Sequence, residues 1–442
     1  MKHLLLFFSL FAVVLISKAQ TEYLNTKTPY RPQQENYTPA PKGYVPVFIN
    51  YVGRHGARFQ TSGDNDLLII DVLQQAQKAN ALTNVGADIL QQIQSLKKIE
   101  ENNYGNITML GRREQHDIAQ RMQAEYSSVF NKRRLLVEMT EKLRTQQSAK
   151  AFLSGLKGYD SSAINSKIFP ASTDTILRFY DLSEAYKTYA SSSEIKDHLD
   201  SLRKDNRTVN ASNNVCKKVF TSAFISRLND KNISSNTTGK TQTLNATTFS
   251  QSLYELYASM FSASEELQSN YKIAVNTFNK VFSSQDLLWF DKINSASDFY
   301  EKGSAENING IQVTIAAPLL RDMLNTTDST IQFKNFDAVL RFTHAEAISP
   351  LATLMGIPQA SKTSSSVFSF ADEWEASAII PMSANIQWIL YSNDKNFLVK
   401  VLLNEKEVTL PVHTKTFPYY NWNDVRSYYQ KKLSSISKKL NS

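Results

Sequence analysis

The chain has 442 residues, enough for two substantial hydrophobic cores, and its 42% apolar and 20% charged residues exclude disorder, collagen and coiled coil for most of its length. A single cysteine, Cys216, excludes an intrachain disulfide framework and a multi-cysteine zinc site. The 49 basic and 41 acidic residues give a net charge of +8, which is mild for this length. Because no dense block of lysine and arginine occurs, we expect no nucleic-acid partner.

The start of the chain has the pattern of a signal peptide. Lys2 makes it positively charged, residues 4–16 form an apolar run too short to span a bilayer, and Ser17 and Ala19 supply the small residues that precede a cleavage site. We therefore expect cleavage after residue 19 and export to the periplasm or out of the cell. No second membrane segment is predicted, and the oligomeric state is left open.

After a polar, proline-containing leader over residues 20–44, strands and helices alternate. Apolar runs predict strands over residues 44–52, 135–139 and 336–342, and alternating residues predict antiparallel strands within 386–412. Apolar residues at helical spacing predict helices over residues 67–96 with a break near 84–86, and over 111–130, 145–156 and 423–440.

Residues 166–324 have a different composition from the segments on either side. Glycine is scarce there, and helices are predicted over residues 220–228, 253–261 and 270–282, with a polar loop at 229–250. We predict that this stretch is an inserted, all-helical domain. Residues 20–165 and 325–442 would then form one α/β domain.

The loop after the first predicted strand reads Arg54-His55-Gly56-Ala57-Arg58. Each guanidinium is a rigid fork that matches phosphate oxygens, and two such cations repel each other unless an anion lies between them. A neutral imidazole can attack phosphorus, and flanking cations should lower the pKa of His55 and keep it neutral. A solvated surface loop is the alternative for an isolated Arg-His-Gly, but the second arginine and the preceding strand favour a functional site.

A second histidine motif, His344-Ala345-Glu346, follows the strand predicted at 336–342. Ligands of open α/β sheets bind beyond the carboxyl ends of strands, so the two motifs can meet in one crevice. His344 would add a donor to an anion site, and Glu346 could protonate a departing alkoxide, which is worth ~10²–10⁴-fold in rate. Taken alone, His344 could be a core histidine, and Glu346 could simply favour a helix N-terminus.

Together the two motifs resemble the histidine phosphatase superfamily, in its acid phosphatase and phytase branch. The His-Ala-Glu form is typical of the multiple inositol-polyphosphate phosphatases, whereas most of the branch has His-Asp. The resemblance implies a three-layer α/β domain with a mixed central sheet, interrupted by a helical lid domain that covers the site. Further segments that resemble this group are residues 142–149, 152–156, 177–181, 381–385 and 402–406.

The resemblance also implies roles for individual residues. His55 is the nucleophile that becomes phosphohistidine, Glu346 donates the proton to the leaving hydroxyl, and water then hydrolyses the phosphohistidine. The residues implied to hold the phosphate are Arg54, Arg58, Arg144 and His344. One position departs from the family, which usually has proline two residues after the second arginine. Gln60 stands there, so the rigidity of this loop is an open question.

The implied activity is that of an exported phosphomonoesterase acting on inositol polyphosphates, phytate and its lower forms, without cofactor or metal. The positive charge suits a polyanionic small-molecule substrate. Arg178 is predicted to face a second phosphate, with an ordinary salt-bridged helix residue as the alternative. Three other functions stay open: a broad-specificity histidine acid phosphatase, a phosphoglycerate-type phosphatase or mutase, which export disfavours, and a non-enzymatic anion-binding protein, which the presence of both His55 and Glu346 disfavours.

Overall fold

The fold is taken from a computed structural model, which describes residues 23–130, 134–237, 239 and 241–440. The predicted signal peptide, residues 1–19, therefore lies outside the described residues. Among the residues that are described, no helix is both long and apolar enough to cross a membrane.

Short strands and longer helices make up the described part of the chain. The strands are β1 Val45–Arg54, β2 Leu135–Thr140, β3 Ile164–Phe169, β4 Ile233–Ser235, β5 Gln242–Leu244, β6 Ala338–Thr343, β7 Asn385–Ser392, β8 Phe397–Leu403, β9 Lys406–Glu407 and β10 Tyr419–Asn421. The helices are α1 Asp64–Lys78, α2 Asn84–Glu100, α3 Met109–Glu125, α4 Leu143–Gly155, α5 Phe179–Leu182, α6 Glu184–Ala190, α7 Ser193–Lys204, α8 Asn206–Val219, α9 Ser222–Asn229, α10 Ala246–Ser262, α11 Ser264–Tyr271, α12 Ser284–Lys302, α13 Ile311–Thr314, α14 Ala317–Phe333, α15 Ala345–Leu354, α16 Ala376–Ile379 and α17 Trp422–Leu440.

A mixed sheet of eight strands forms the centre, in the order β10-β8-β7-β1-β6-β2-β3, with β9 paired to β8. The neighbours β1, β6, β2 and β3 are parallel, and β7, β8 and β10 are antiparallel to the strands they pair with. Strand β1 runs alongside β6 until Arg54 lies opposite Thr343. The carboxyl ends of β1, β6 and β2 therefore lie next to one another at one edge of the sheet.

Helices cover both faces of this sheet because its strands are apolar on both sides. In β1, Phe48 and Val52 belong to the core on one face, whereas Ile49 and Tyr51 belong to the core on the other. The first face packs against α14, α15 and α17, and the second packs against α3 and α4. A strand buried on both faces reads as a continuous apolar run, which is why the strand was visible in the sequence. The predicted three-layer α/β arrangement is confirmed.

The segment predicted to be all-helical needs a correction. It contains the two-stranded sheet β4–β5, and β3, which begins at Ile164, runs into it along the edge of the central sheet. The β4–β5 pair forms where a polar loop was expected, because Ile233 and Leu244 lie opposite each other and are buried. The division of the chain into two domains stays a prediction.

Helices α1 and α2, which precede β2, pack against the helices of the long segment between β3 and β6. Ile69 of α1 and Ile93 of α2 lie in the same core as Phe249 of α10. The close approach of α2 to α8 depends on Gly86, because a Cβ atom there would lie 2.3 Å from the Val219 carbonyl oxygen. The helical layer is thus built from two separate parts of the chain.

The helix predicted over residues 270–282 is wrong. Helix α11 ends at Tyr271, and Lys272 adopts the left-handed conformation with φ 56°. Only a short 3-10 helix, Val275–Lys280, follows. Residues 67–96, predicted to be helical with a break near 84–86, form the two helices α1 and α2, and the break lies slightly earlier than predicted.

Candidate active site

The ends of β1 and β6 bring the two histidine motifs together. The His55 amide donates to the Thr343 carbonyl at 3.0 Å, which continues the pairing of the two strands by one residue. The imidazole rings of His55 and His344 meet edge to face, with their centroids 5.4 Å apart. Both histidines are buried, with 3% and 2% of their surface exposed. The two motifs therefore meet at the carboxyl ends of their strands, as expected.

The hydrogen bonding of His55 determines which ring nitrogen is free. Nδ1 lies 3.0 Å from the carbonyl oxygen of Gly56, which can only accept a hydrogen bond, so Nδ1 carries the proton. In the neutral ring Nε2 then keeps its lone pair. Burial, followed by the charge of Arg54, holds the pKa of His55 well below its ordinary value. His55 is thus a neutral imidazole with an available nucleophilic nitrogen.

The loop that carries His55 is held by close backbone contact and by one buried carboxylate. A Cβ atom on Gly56 would lie 2.5 Å from the Gly111 carbonyl oxygen, so only glycine fits there. The Gly56 amide donates to Ser148 Oγ at 3.0 Å, and the Ala57 amide donates to Glu114 Oε2 at 2.9 Å. Glu114 also accepts from the Tyr30 amide and the Ser383 hydroxyl, at 2.9 and 2.8 Å.

Three guanidiniums surround the histidines. Arg54 donates through Nη1 to the carbonyl oxygens of Thr26 and Ile380, both at 2.6 Å, and Arg58 donates through Nη1 to the carbonyl oxygen of its neighbour Phe59 at 2.8 Å. Arg144 lies in the first turn of α4. Within the described part of the chain, the Nε atoms of all three arginines are buried and have no hydrogen-bond partner.

These cations also act on one another. Burial, followed by the charges of Arg144 and Arg54, lowers the pKa of Arg58 to about 10. Arg58 therefore keeps its charge at neutral pH, at a cost in free energy. Buried cations with unpartnered donors favour an anion between them, because a phosphate would accept those hydrogen bonds and offset the repulsion.

His344 caps the amino end of α15 and is fixed by the end of β2. Its Nε2 is hydrogen-bonded to Thr140 Oγ1 at 3.1 Å, while Nδ1 is buried without a partner among the described residues. Burial, followed by the charge of Arg144, holds the pKa of His344 well below its ordinary value. His344 thus contributes a buried ring nitrogen without a partner in the described part of the chain, next to His55.

Glu346 lies in the first turn of α15 and is the only partly exposed member of the second motif, with 37% of its side chain accessible. Its Oε1 lies 3.3 Å from Nζ of Lys302, the last residue of α12. Burial alone would raise the pKa of Glu346. The Lys302 ammonium, His344, a backbone hydrogen bond and Arg54 together outweigh burial and hold the pKa well below the ordinary value, with Lys302 contributing most among them. Without substrate, Glu346 is therefore a carboxylate.

Arg178 lies near the end of β6. Thr343 Oγ1 donates to the Leu177 carbonyl at 2.6 Å, which brings the neighbouring Arg178 close to the end of β6. Arg178 donates through Nε to Asp181 Oδ2 at 2.5 Å, while its Nη1 is buried and has no partner within the described residues. The salt-bridged alternative is therefore present, and one face of the guanidinium is left unpaired. A contact with substrate stays a prediction.

Most of the chain matches the sequence pattern of one known family. The model of the histidine phosphatase superfamily (branch 2) matches residues 47–404, which include both histidine motifs. The chain belongs to this superfamily. The resemblance drawn from Arg-His-Gly-Ala-Arg and His-Ala-Glu is thereby confirmed.

Individual relatives and solved structures agree with this membership. Multiple inositol polyphosphate phosphatase 1 of Gallus gallus is 22% identical over 414 residues, which covers 88% of this chain and 82% of the relative. The Bifidobacterium longum multiple inositol polyphosphate phosphatase, solved with inositol hexasulfate, superposes with a TM-score of 0.81 at 21% identity, covering 92% and 97% of the two chains. The phytase from D. castellii superposes with a TM-score of 0.67 at 14% identity, covering 93% and 85%. At these identities, the superpositions establish the fold.

At residue 60, where the family usually has proline, this histidine phosphatase restrains the loop by hydrogen bonds. The Gln60 amide donates to Glu100 Oε1 at 2.8 Å, a bond that proline could not make. The Gln60 side chain donates to Asp66 at 2.5 Å and to Glu100 at 3.1 Å. Hydrogen bonds to two buried carboxyl groups thus restrain the loop where proline would have stiffened it.

Sequence reasoning missed Lys27, a residue of this histidine phosphatase that lies near Arg58 in the loop of residues 54–58. The segment treated as a leader forms a 3-10 helix, Asn25–Lys27, and its Thr26 carbonyl accepts from Arg54. Lys27 Nζ donates to Ser259 Oγ of α10 at 2.8 Å. Burial lowers the pKa of Lys27 to about 8, against the charge of Glu255, and the charge of Arg58 lowers it further. A single lysine in an aperiodic polar stretch gives no signal in the sequence.

A search of the described residues finds no group of three or more His, Cys, Asp or Glu side chains that could hold a metal ion. The candidate site of this histidine phosphatase is instead dominated by cations, which suit an anionic ligand.

Proposed function

We propose that the protein is an exported phosphomonoesterase that hydrolyses inositol polyphosphates through a phosphohistidine intermediate. The observation that carries the proposal is a neutral His55 with a free Nε2, enclosed by three arginines whose buried Nε atoms have no partner among the described residues. In this arrangement the arginines can hold the oxygens of a phosphate while Nε2 of His55 attacks its phosphorus atom.

In the first step, His55 Nε2 attacks the phosphorus atom, and the bond from phosphorus to the ester oxygen breaks. The guanidiniums of Arg54, Arg58 and Arg144 offset the charge on the phosphoryl oxygens. Glu346 donates a proton to the departing alkoxide, which leaves as an alcohol. The dianionic phosphate offsets the arginines, so Glu346 binds a proton more readily in the complex than in the free protein. Turnover should therefore be faster at acidic pH.

In the second step, water attacks the phosphohistidine and the bond from phosphorus to Nε2 breaks. Glu346, now a carboxylate, accepts a proton from the attacking water. Inorganic phosphate leaves, and His55 returns to its neutral form. The hydrogen bond from Nδ1 to Gly56 holds the ring in the same orientation throughout both steps.

Two observations favour inositol polyphosphates over small monoesters. Cationic groups extend beyond the space for one phosphate, because Arg178 lies near the end of β6, and Lys27 lies close to Arg58. A substrate with several phosphates would use them, whereas a simple monoester would not. The relatives of known structure also carry the names multiple inositol polyphosphate phosphatase and phytase.

The test is to incubate the purified protein with phytate and, separately, with glycerol 2-phosphate and 4-nitrophenyl phosphate, and to compare phosphate release at equal concentration. We expect a much higher kcat/KM for phytate, since its additional phosphates contact cations that the monoesters do not reach. Equal efficiency on all three would point to a broad-specificity phosphatase instead. No release from any of them would refute the enzymatic assignment.

A further inference from the structure

Lys302 links the helical layer to the proposed proton donor. It is the last residue of α12, and its side chain is 11% exposed. Its ammonium contacts Asp298 Oδ1 at 2.9 Å, one turn earlier on α12, and Glu346 Oε1 at 3.3 Å, on α15. One buried ammonium is thus shared by two carboxylates. Because a buried cation is costly unless it is paired, Lys302 has a strong preference for this arrangement.

Several other charged and titratable groups face Glu346. Among the cations, Lys302 lowers the pKa of Glu346 most, and Arg54 lowers it less. The groups on every element packed around Glu346 are Lys302 and Glu301 of α12, Arg54 and Arg58 of the first motif, Arg144 of α4, Tyr180 of α5, Tyr186 of α6 and His344. The arginines surround the phosphate position, so a bound phosphate would offset their charge. Lys302 is paired instead with carboxylates, and its effect on Glu346 would persist in the complex.

We propose that Lys302 is a positioning residue, whose ammonium orients the Glu346 carboxylate and sets the pH range in which Glu346 can act as an acid. Asp298 moderates this effect because it competes for the same ammonium. The inference rests on the proposed function, in which Glu346 protonates the leaving oxygen.

The ammonium would act on both forms of Glu346. When Glu346 gives its proton to the leaving oxygen, negative charge forms 3.3 Å from Lys302 Nζ and is stabilised there. Lys302 therefore makes Glu346 a stronger acid, but it also narrows the pH range in which the proton is present. Loss of Lys302 should lower the rate at acidic pH and extend activity to higher pH. A residue that only supports packing would lower the rate equally at every pH.

The test measures the single-turnover release of glycerol from glycerol 2-phosphate as a function of pH. Lys302→Met should shift the alkaline limb of this profile to higher pH by about 1–3 pH units. This is the range expected for the pKa of a carboxyl group when an adjacent opposite charge is removed. Lys302→Arg keeps the charge and should leave the limb in place. Asp298→Asn removes the carboxylate that competes with Glu346 for the Lys302 ammonium, so the alkaline limb should shift to lower pH. Lys187→Met, which removes the exposed ion pair with Glu184, is the matched control and should change nothing.

With 4-nitrophenyl phosphate the limb should not move in any variant, because nitrophenolate leaves without a proton. A limb that stays in place in Lys302→Met with glycerol 2-phosphate, or that moves equally with both substrates, would overturn the proposal. Failure to hydrolyse phytate would refute the proposed substrate without affecting this test.

A titration of Glu346 tests the role of Lys302 without requiring catalytic activity. The carboxyl signal of Glu346 can be followed by carbon-13 NMR in glutamate-labelled protein, with Glu346→Gln to identify it. It should titrate at higher pH in Lys302→Met than in the unmodified protein. Identical titrations would refute the role of Lys302 whatever the substrate.

Discussion

A buried pair of carboxyl groups hydrogen-bonded to Gln60 should make the stability of the protein depend on pH. Asp66 of α1 and Glu100 of α2 are both fully buried, and the Gln60 side chain donates to both. Burial, followed by the negative charge of Glu100, raises the pKa of Asp66 to about 8. Between about pH 4 and pH 8, Asp66 is therefore protonated in the folded protein and ionised in the unfolded chain.

The direction and size of the effect follow from this difference of one proton. The folded state binds the Asp66 proton more tightly than the unfolded chain does, so proton binding by Asp66 stabilises the protein at acidic pH. It falls as the pH rises and is lost above about pH 8. One proton corresponds to about 1.4 kcal/mol for each pH unit, so the free energy of unfolding should fall by about 3 kcal/mol between pH 5 and pH 7. Asp66 is fully buried, so solvent does not weaken this contribution.

Asp66→Asn should remove this dependence. The amide keeps an acceptor for Gln60 and a donor for Glu100, and it does not ionise. Urea unfolding at pH 5, 6, 7 and 8 gives the free energy of unfolding of both proteins. Between pH 5 and pH 7, this free energy should fall by about 3 kcal/mol less in the variant than in the unmodified protein. Asp64→Asn, at an exposed position on the same helix, is the control and should leave the dependence unchanged. Parallel pH dependence in Asp66→Asn and the unmodified protein would refute the reasoning.

Three further predictions concern the reaction. His55→Ala should abolish turnover while the circular dichroism spectrum stays unchanged, because His55 forms the covalent intermediate; phytate hydrolysis near the original rate would contradict the assignment. Glu346→Gln should slow single-turnover release of an inositol by about 10²–10⁴-fold and release of nitrophenolate much less, and equal losses would show that Glu346 orients phosphate or water instead. Chelators should leave hydrolysis of 4-nitrophenyl phosphate unchanged, because arginines offset the phosphoryl charge; loss of activity that one specific metal restores would reveal a metal site.

Much of the fold could be predicted from the sequence because the central strands are buried on both faces. Strands β1, β2 and β6 read as apolar runs, and their predicted bounds differ from the observed ones by at most two residues. The long helical segment was harder to interpret. Its helix ends depend on local conformations such as the left-handed Lys272, and the β4–β5 pair is short and largely polar. The packing of α1 and α2 against α8, α10 and α11 has no local signal at all.

The catalytic motifs were visible in the sequence because their residues are close together in the chain and each motif follows a strand. That His55 and His344 meet could be expected, since parallel neighbours end at the same edge of a sheet. Only the tertiary structure established which distant residues contact the residues of these motifs. Lys302 reaches Glu346 across 44 residues, Glu114 reaches the His55 loop across 57, and Thr26 reaches Arg54 across 28. Single polar residues that act over such separations leave no periodic pattern, because their partners are set by how helices and strands pack and not by neighbouring residues in the chain.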